Sequence, residues 1–109
     1  MQVPREEHSS CTMNNSVYVI GGMDDNYKAL SSIEQLRVQC GEDGEILSDY
    51  KWRLIQVDGL PPRRNPFVCP MGKETIAICG GSDFYGRDLG DSYVWNSVTK
   101  IIEASSKNN

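Results

Sequence analysis

Apolar and polar positions in this chain fall into short runs, and the pattern of runs occurs twice. Val17-Tyr18-Val19-Ile20 ends in Gly21-Gly22, and Thr75-Ile76-Ala77-Ile78-Cys79 ends in Gly80-Gly81. A short β-prone run closed by adjacent glycines reads as a strand with a stop. The only hint of helical spacing, Leu30, Ile33 and Leu36 within Tyr27 to Val38, has neither a cap nor a glycine stop. The pattern predicts eight strands. Four fall near 9–12, 17–20, 32–38 and 52–57, and four near 67–69, 75–79, 92–95 and 100–103.

The surroundings of the two runs match as well. Pro4-Arg5 and Cys11 precede the first, and Pro62-Arg63 and Cys69 precede the second, at a constant offset of 58 residues. One further residue in the following turn makes the offset 59 at the glycines. Asn14-Asn15 and Met71-Gly72-Lys73-Glu74 occupy those turns, where a tight hairpin needs residues that tolerate positive φ. Several features in one order at nearly one offset mark an internal repeat, and a repeat decides the fold before local propensity does.

The order Pro-Arg-x-x-His, an apolar run ending Gly-Gly, then apolar and aromatic residues and a Trp resembles the kelch repeat. In this family each repeat of about 50 residues forms one four-stranded blade of a β-propeller. The resemblance covers Pro4 to about Ile102. The first unit carries Pro4, Arg5, His8, Gly21, Gly22 and Trp52; the second has Pro66 in place of the His and Ile101 where the Trp is expected. The implied fold is all-β: two four-stranded antiparallel kelch-type blades of a partial or open β-propeller. Blade 1 would occupy 1–60 with an insertion at 39–51, blade 2 would occupy 61–103, and 104–109 would be a polar tail. The resemblance assigns structural roles to Gly21, Gly22, Gly80, Gly81 and Trp52. The glycines would lie where the second strand nears the crowded propeller centre, and Trp52 would supply on the order of 200 Å² of packing between blades.

Length then raises a difficulty. Two blades do not close a ring of four to eight, and one repeat does not bury its own apolar face. The alternatives are a fragment of a longer propeller, self-assembly with three chains making six blades, or docking into another propeller. The polar tail Ala104 to Asn109 favours an end or a linker over a cut through a strand.

Charge and cysteines narrow the function classes. Net charge is −4 and the basic residues are scattered, with Arg63-Arg64 the only pair, against a nucleic-acid footprint. No apolar stretch is long enough to span a bilayer, and no signal-peptide core follows Met1, so the expectation is a cytoplasmic chain without membrane contact. Four cysteines (Cys11, Cys40, Cys69 and Cys79) have three possible pairings. With no Cys-x-x-Cys and one histidine, they read as small buried thiols of a reducing compartment, Cys40 being the most exposed.

The candidate chemistry is sparse. His8 beside Glu6 and Glu7 lacks a nucleophile placed by any motif. Gly41-Glu42-Asp43-Gly44-Glu45 lacks the alternating register of a calcium loop and reads as a hairpin tip. One histidine is too few for a copper-radical site on a propeller. The expectation is therefore a non-enzymatic chain with no cofactor and no metal. Asp83-Phe84-Tyr85-Gly86-Arg87-Asp88 and Met23-Asp24-Asp25-Asn26-Tyr27-Lys28 follow the two Gly-Gly pairs and carry Tyr among charges, the residue types that anchor protein partners. By resemblance to kelch propellers, the recognition surface is Asp24, Asn26, Tyr27, Arg63, Arg64, Tyr85 and Arg87. The expected function is a protein-interaction scaffold that presents inter-strand loops to a protein or peptide. Substrate receptors of ubiquitin ligases and cytoskeletal linkers are familiar forms of this family. The rival readings are a self-assembling structural component and an enzyme on a small propeller.

Overall fold

The computed structural model describes residues 1–38 and 51–105. Cys40, the acidic run and nearly all of the expected insertion lie outside them. The described residues hold eight strands: β1 (Ser9–Met13), β2 (Ser16–Ile20), β3 (Ile33–Arg37), β4 (Trp52–Ile55), β5 (Phe67–Met71), β6 (Thr75–Cys79), β7 (Ser92–Asn96) and β8 (Ile102–Ala104). They form two four-stranded antiparallel sheets ordered β1-β2-β3-β4 and β5-β6-β7-β8. The sheets are two blades, and they do not close a ring. No helix occurs among the described residues.

Turn chemistry sets the register. Asn14 (φ 50°) and Asn15 (φ 62°) make a two-residue hairpin between Met13 and Ser16. Both central residues are left-handed, matching the twist of the flanking strands. In blade 2 the turn between Met71 and Thr75 holds three residues, with Gly72 at φ 81°. This is the inserted residue that lengthens the offset from 58 to 59.

Strand alternation then decides what meets what, because directly paired residues project to the same side of a sheet. On one side of blade 1 lie Cys11, Met13, Tyr18, Ile20, Ile33 and Ile55. One side of blade 2 presents Val68, Ile76, Ile78, Tyr93, Trp95 and Ile102. These two sides, together with Val57 and Leu60 of the linker, make the hydrophobic core. Tyr18 and Trp95 meet edge to face across it, with ring centroids 5.8 Å apart. The core is thus the trailing face of blade 1 pressed on the leading face of blade 2.

Several expectations change. The sheets approach each other most closely through β1 and β5, so the inner edge is the first strand of each blade and not the second. The Gly-Gly pairs remain sites of close approach, but to the chain entering the blades. A Cβ on Gly22 would lie 2.7 Å from the Glu6 carbonyl oxygen, and one on Gly81 would lie 2.5 Å from that of Arg64. The buried indole between the blades is Trp95, while Trp52 is half-buried on the leading face of blade 1. Register also shows Ile102 as the counterpart of Trp52, since Leu36 pairs with Trp52 as Trp95 pairs with Ile102. Finally, the thiols are less buried than expected: Cys11 and Cys79 are intermediate and Cys69 is exposed, because β5 turns it to the uncovered side of blade 2. Burial, and then the neighbouring Cys69, push the Cys11 thiol pKa up.

Candidate recognition loops

Each blade is braced by a buried arginine from the segment that enters it. Arg5 donates to the Gly21 and Ser32 carbonyls, to Ser32 Oγ and, at 2.7 Å, to Glu34 Oε2. Glu34 in turn accepts the backbone N–H groups of Gln2 and Val3. Arg63 is the repeat counterpart of Arg5, and it donates to the Gly80 carbonyl and to both oxygens of Asp91 at 2.8 and 2.9 Å. The acid has moved between copies. Asp91 stands where blade 1 has Ser32, and Tyr93 stands where blade 1 has Glu34. The Tyr93 hydroxyl donates to Asp91, and its ring lies under the Arg63 guanidinium at 5.2 Å. Hydrogen bonds from Arg63 hold the Asp91 carboxyl below its ordinary pKa, and burial, then the bond to Asp91, raises that of Tyr93. A fully desolvated, ion-paired arginine braces the blade and does not reach a partner, so Arg63 leaves the expected recognition surface.

With the strand ends fixed in this way, the loops after β2 and β6 share one frame. Asp24 Oδ1 accepts the N–H groups of Asn26 and Lys28, at 2.9 and 3.0 Å. Asp83 Oδ1 accepts those of Tyr85 and Arg87 at the same two distances. Both loops also close through a backbone bond to residue i+4, Asp24 N–H to the Lys28 carbonyl and Asp83 N–H to that of Arg87. An aspartate that caps its own loop supplies a turn without help from the sheet. The Arg87 backbone N–H, with Tyr85 N–H and the Arg87 charge adding to it, lowers the Asp83 pKa.

On this frame the tips differ. Tyr27 sits at φ 61°, where the second loop has Gly86 at φ 79°. A bulky residue in the left-handed region is strained, and Tyr27 is 68% exposed there. Tyr85 is 75% exposed, packs edge to face on Phe84 at 5.1 Å, and carries the Arg87 guanidinium over its ring at 5.0 Å. Lys28, Ala29, Pro62, Asp83, Phe84 and Tyr85 line an apolar cleft of about 360 Å³ between the two loops. A second cleft of about 270 Å³, polar in lining, runs past Tyr27, Asp24 and Asp25 to Pro4 and Glu6.

Of the seven residues expected at the surface, Asn26, Tyr27, Tyr85 and Arg87 are exposed. Asp24 is half-buried and occupied with its own loop. Arg64 is also half-buried, 3.6 Å from Glu7 and 3.5 Å from the Met23 sulfur. Phe84, Lys28 and Pro62 join the group through the cleft. Phe84 is legible in the sequence as the neighbour of Tyr85; Pro62 is not, because only the linker's path brings it there. Among the described residues no group of three His, Cys, Asp or Glu is placed to hold a metal ion, and no helix is long and apolar enough to cross a membrane.

Paired antiparallel blades with a repeated buried arginine and repeated loops define a propeller-type repeat module. More particularly, residues 4–42 match the family model of the Kelch motif. The chain carries a kelch motif, as its resemblance to that repeat led us to expect, and the match spans β1 to β3 of blade 1. No curated protein matches the chain.

Proposed function

We propose that the chain is a non-catalytic interaction module whose loops after β2 and β6 engage a protein or peptide. The observation that carries this reading is the pair of identically framed loops that hold Tyr27, Phe84 and Tyr85 in solvent. Large exposed aromatics on a braced loop carry a solvation and strain cost that folding does not repay, whereas tyrosine and arginine anchors dominate binding energy at interfaces. The cleft between the loops suits one apolar side chain, and Lys28 and Arg87 beside it favour a ligand segment carrying acids. Scaffolds of the ubiquitin-ligase receptor and cytoskeletal-linker kind would use such a face alike. The test is capture of binding partners from a soluble extract, with parent chain and Tyr85→Ala as baits, followed by titration of the captured partner. Loss of an anchor should weaken binding at least tenfold, about 1.4 kcal/mol. Tyr27→Gly is the companion variant. It should weaken binding while leaving the fold equally or more stable, since glycine relieves the left-handed strain. Unchanged affinity in both variants refutes the reading.

A further inference from the structure

The second side of blade 2 is bare, and the repeat shows what covers it. Its residues are Phe67, Cys69, Met71, Ala77, Cys79 and Val94, which pair directly across β5, β6 and β7. Their counterparts in blade 1 include Cys11, Met13 and Tyr18, which belong to the core between the blades. Met13 is 5% exposed and its counterpart Met71 is 53% exposed, although both occupy one place in the repeat. At the other end, Val17, Leu36 and Trp52 on the leading face of blade 1 are half-buried. Their counterparts Ile76, Trp95 and Ile102 pack in the core.

The linker gives an independent indication. Between the blades, Gly22 N–H donates to the Arg63 carbonyl, Arg63 N–H to the Leu30 carbonyl, and Asn65 N–H to the Glu7 carbonyl. The repeat counterparts of those acceptors and donors in blade 2 are Gly81 N–H and the Leu89 and Asn65 carbonyls. None of the three has a backbone hydrogen-bond partner among the described residues. Gly21 is left-handed, and a Cβ there would strike the Arg63 carbonyl at 2.7 Å. Gly80 is left-handed too, yet a Cβ on it would meet nothing closer than the Leu89 carbonyl at 3.4 Å. Blade 2 keeps the glycine, the carbonyls and the N–H that receive an arginine-bearing entry segment. Among the described residues one such segment has its backbone unpaired at the matching atoms, namely the Arg5 N–H and carbonyl and the Glu7 N–H.

We propose that the bare face of blade 2 docks the leading face of blade 1 of a second copy of this chain, repeating the interface within the chain. Arg5 N–H would donate to the Leu89 carbonyl, Gly81 N–H to the Arg5 carbonyl, and Glu7 N–H to the Asn65 carbonyl. The contact is head-to-tail, so it closes when its rotation divides a full turn. Rings of four to eight blades then contain two, three or four chains. This inference does not rest on the loop reading, and Tyr85→Ala should leave the mass unchanged.

Solution mass over about a hundredfold range of concentration, by light scattering or native mass spectrometry, tests it. The parent chain should have the mass of two, three or four chains. Met71→Glu removes the bare face and Leu36→Glu removes the leading face, so each alone should be monomeric. Mixed, they retain one live pair of faces and should give a 1:1 dimer and nothing larger. A monomeric parent throughout overturns the proposal, and points to a blade from another chain as the occupant. Assembly of either variant alone, or a mixture that stays monomeric, overturns it as well. Circular dichroism checks that the variants fold, and Phe67→Glu with Thr12→Glu, both at exposed positions, replace any that do not.

Discussion

Removal of Glu34 is the sharpest test of how the blades are braced. The side chains of Arg5 and Glu34 are both fully enclosed, at 2.7 Å from one another. Glu34→Ala leaves a buried guanidinium without its counter-ion and strips the acceptor from the Gln2 and Val3 N–H groups. Breaking such a pair from one side costs about 3–5 kcal/mol. The equivalent change in blade 2, Asp91→Ala, should cost less. Asp91 is 37% exposed, so water reaches the site and screens the charge; the loss is then about 1–3 kcal/mol. The ranking follows from exposure alone, since both arginines are buried and both acids accept charge-assisted bonds. Urea unfolding followed by tryptophan fluorescence measures it, at one fixed chain concentration because assembly adds to apparent stability. Arg5→Met with Glu34→Leu should recover most of the loss, since an apolar pair of similar volume avoids the desolvation penalty. A Glu34→Ala variant within about 1 kcal/mol of the parent, or a smaller cost there than at Asp91, refutes the argument.

Two further outcomes follow from the same structure. Asp91 has a folded pKa below its unfolded value, so its contribution is complete above about pH 4 and is lost as pH falls through the folded value. Asp91→Asn should therefore flatten part of the acid limb of a stability-versus-pH curve below about pH 4; an unchanged limb refutes the assignment. Trp95 is fully buried, but its Nε1 has no hydrogen-bond partner among the described residues. Trp95→Phe should cost well under the ~3–5 kcal/mol expected of Trp95→Ala, because it removes an unsatisfied donor along with the lost area. Equal costs in urea unfolding would show that the N–H is satisfied.

Much of this architecture is legible in the amino-acid sequence. The eight strands follow from apolar runs and from Asn14-Asn15, whose side chains tolerate the left-handed turn that the hairpin requires. The burial of Arg63 is harder to read, because Arg63-Arg64 looks like a surface pair. The repeat holds the answer, since Arg63 corresponds to Arg5 and both are buried. Trp52 departs from expectation for a different reason. Its position faces the leading side of a blade, and that side is covered in blade 2, where blade 1 lies against it, but open in blade 1. Whether a side chain is buried here depends on the neighbour of its blade, and local sequence does not report neighbours.

The two blades also show what a repeat preserves. Ser32 and Glu34 in one blade and Asp91 and Tyr93 in the other share no residue type, yet each pair supplies an anion to a buried arginine; Ser32 Oγ accepts from Arg5 directly, whereas the Tyr93 hydroxyl donates to Asp91. What both blades keep is a neutralised guanidinium at the strand ends, and the acid is free to move by two positions because alternate strand residues face the same side. Residue identity therefore varies more than geometry: residues 4–42 match the Kelch motif, and blade 2 keeps the same sheet order, loop frame and arginine. The loop tips behave in the opposite way. Their Asp24 and Asp83 frames are the same, but Tyr27 bears strain that Gly86 avoids. Under the proposed function, a frame held constant with only the exposed tips varied separates stability from recognition. Substitutions at Tyr27, Tyr85 and Arg87 should thus alter binding with little effect on folding, and those at Arg5, Arg63 and Trp95 should do the reverse.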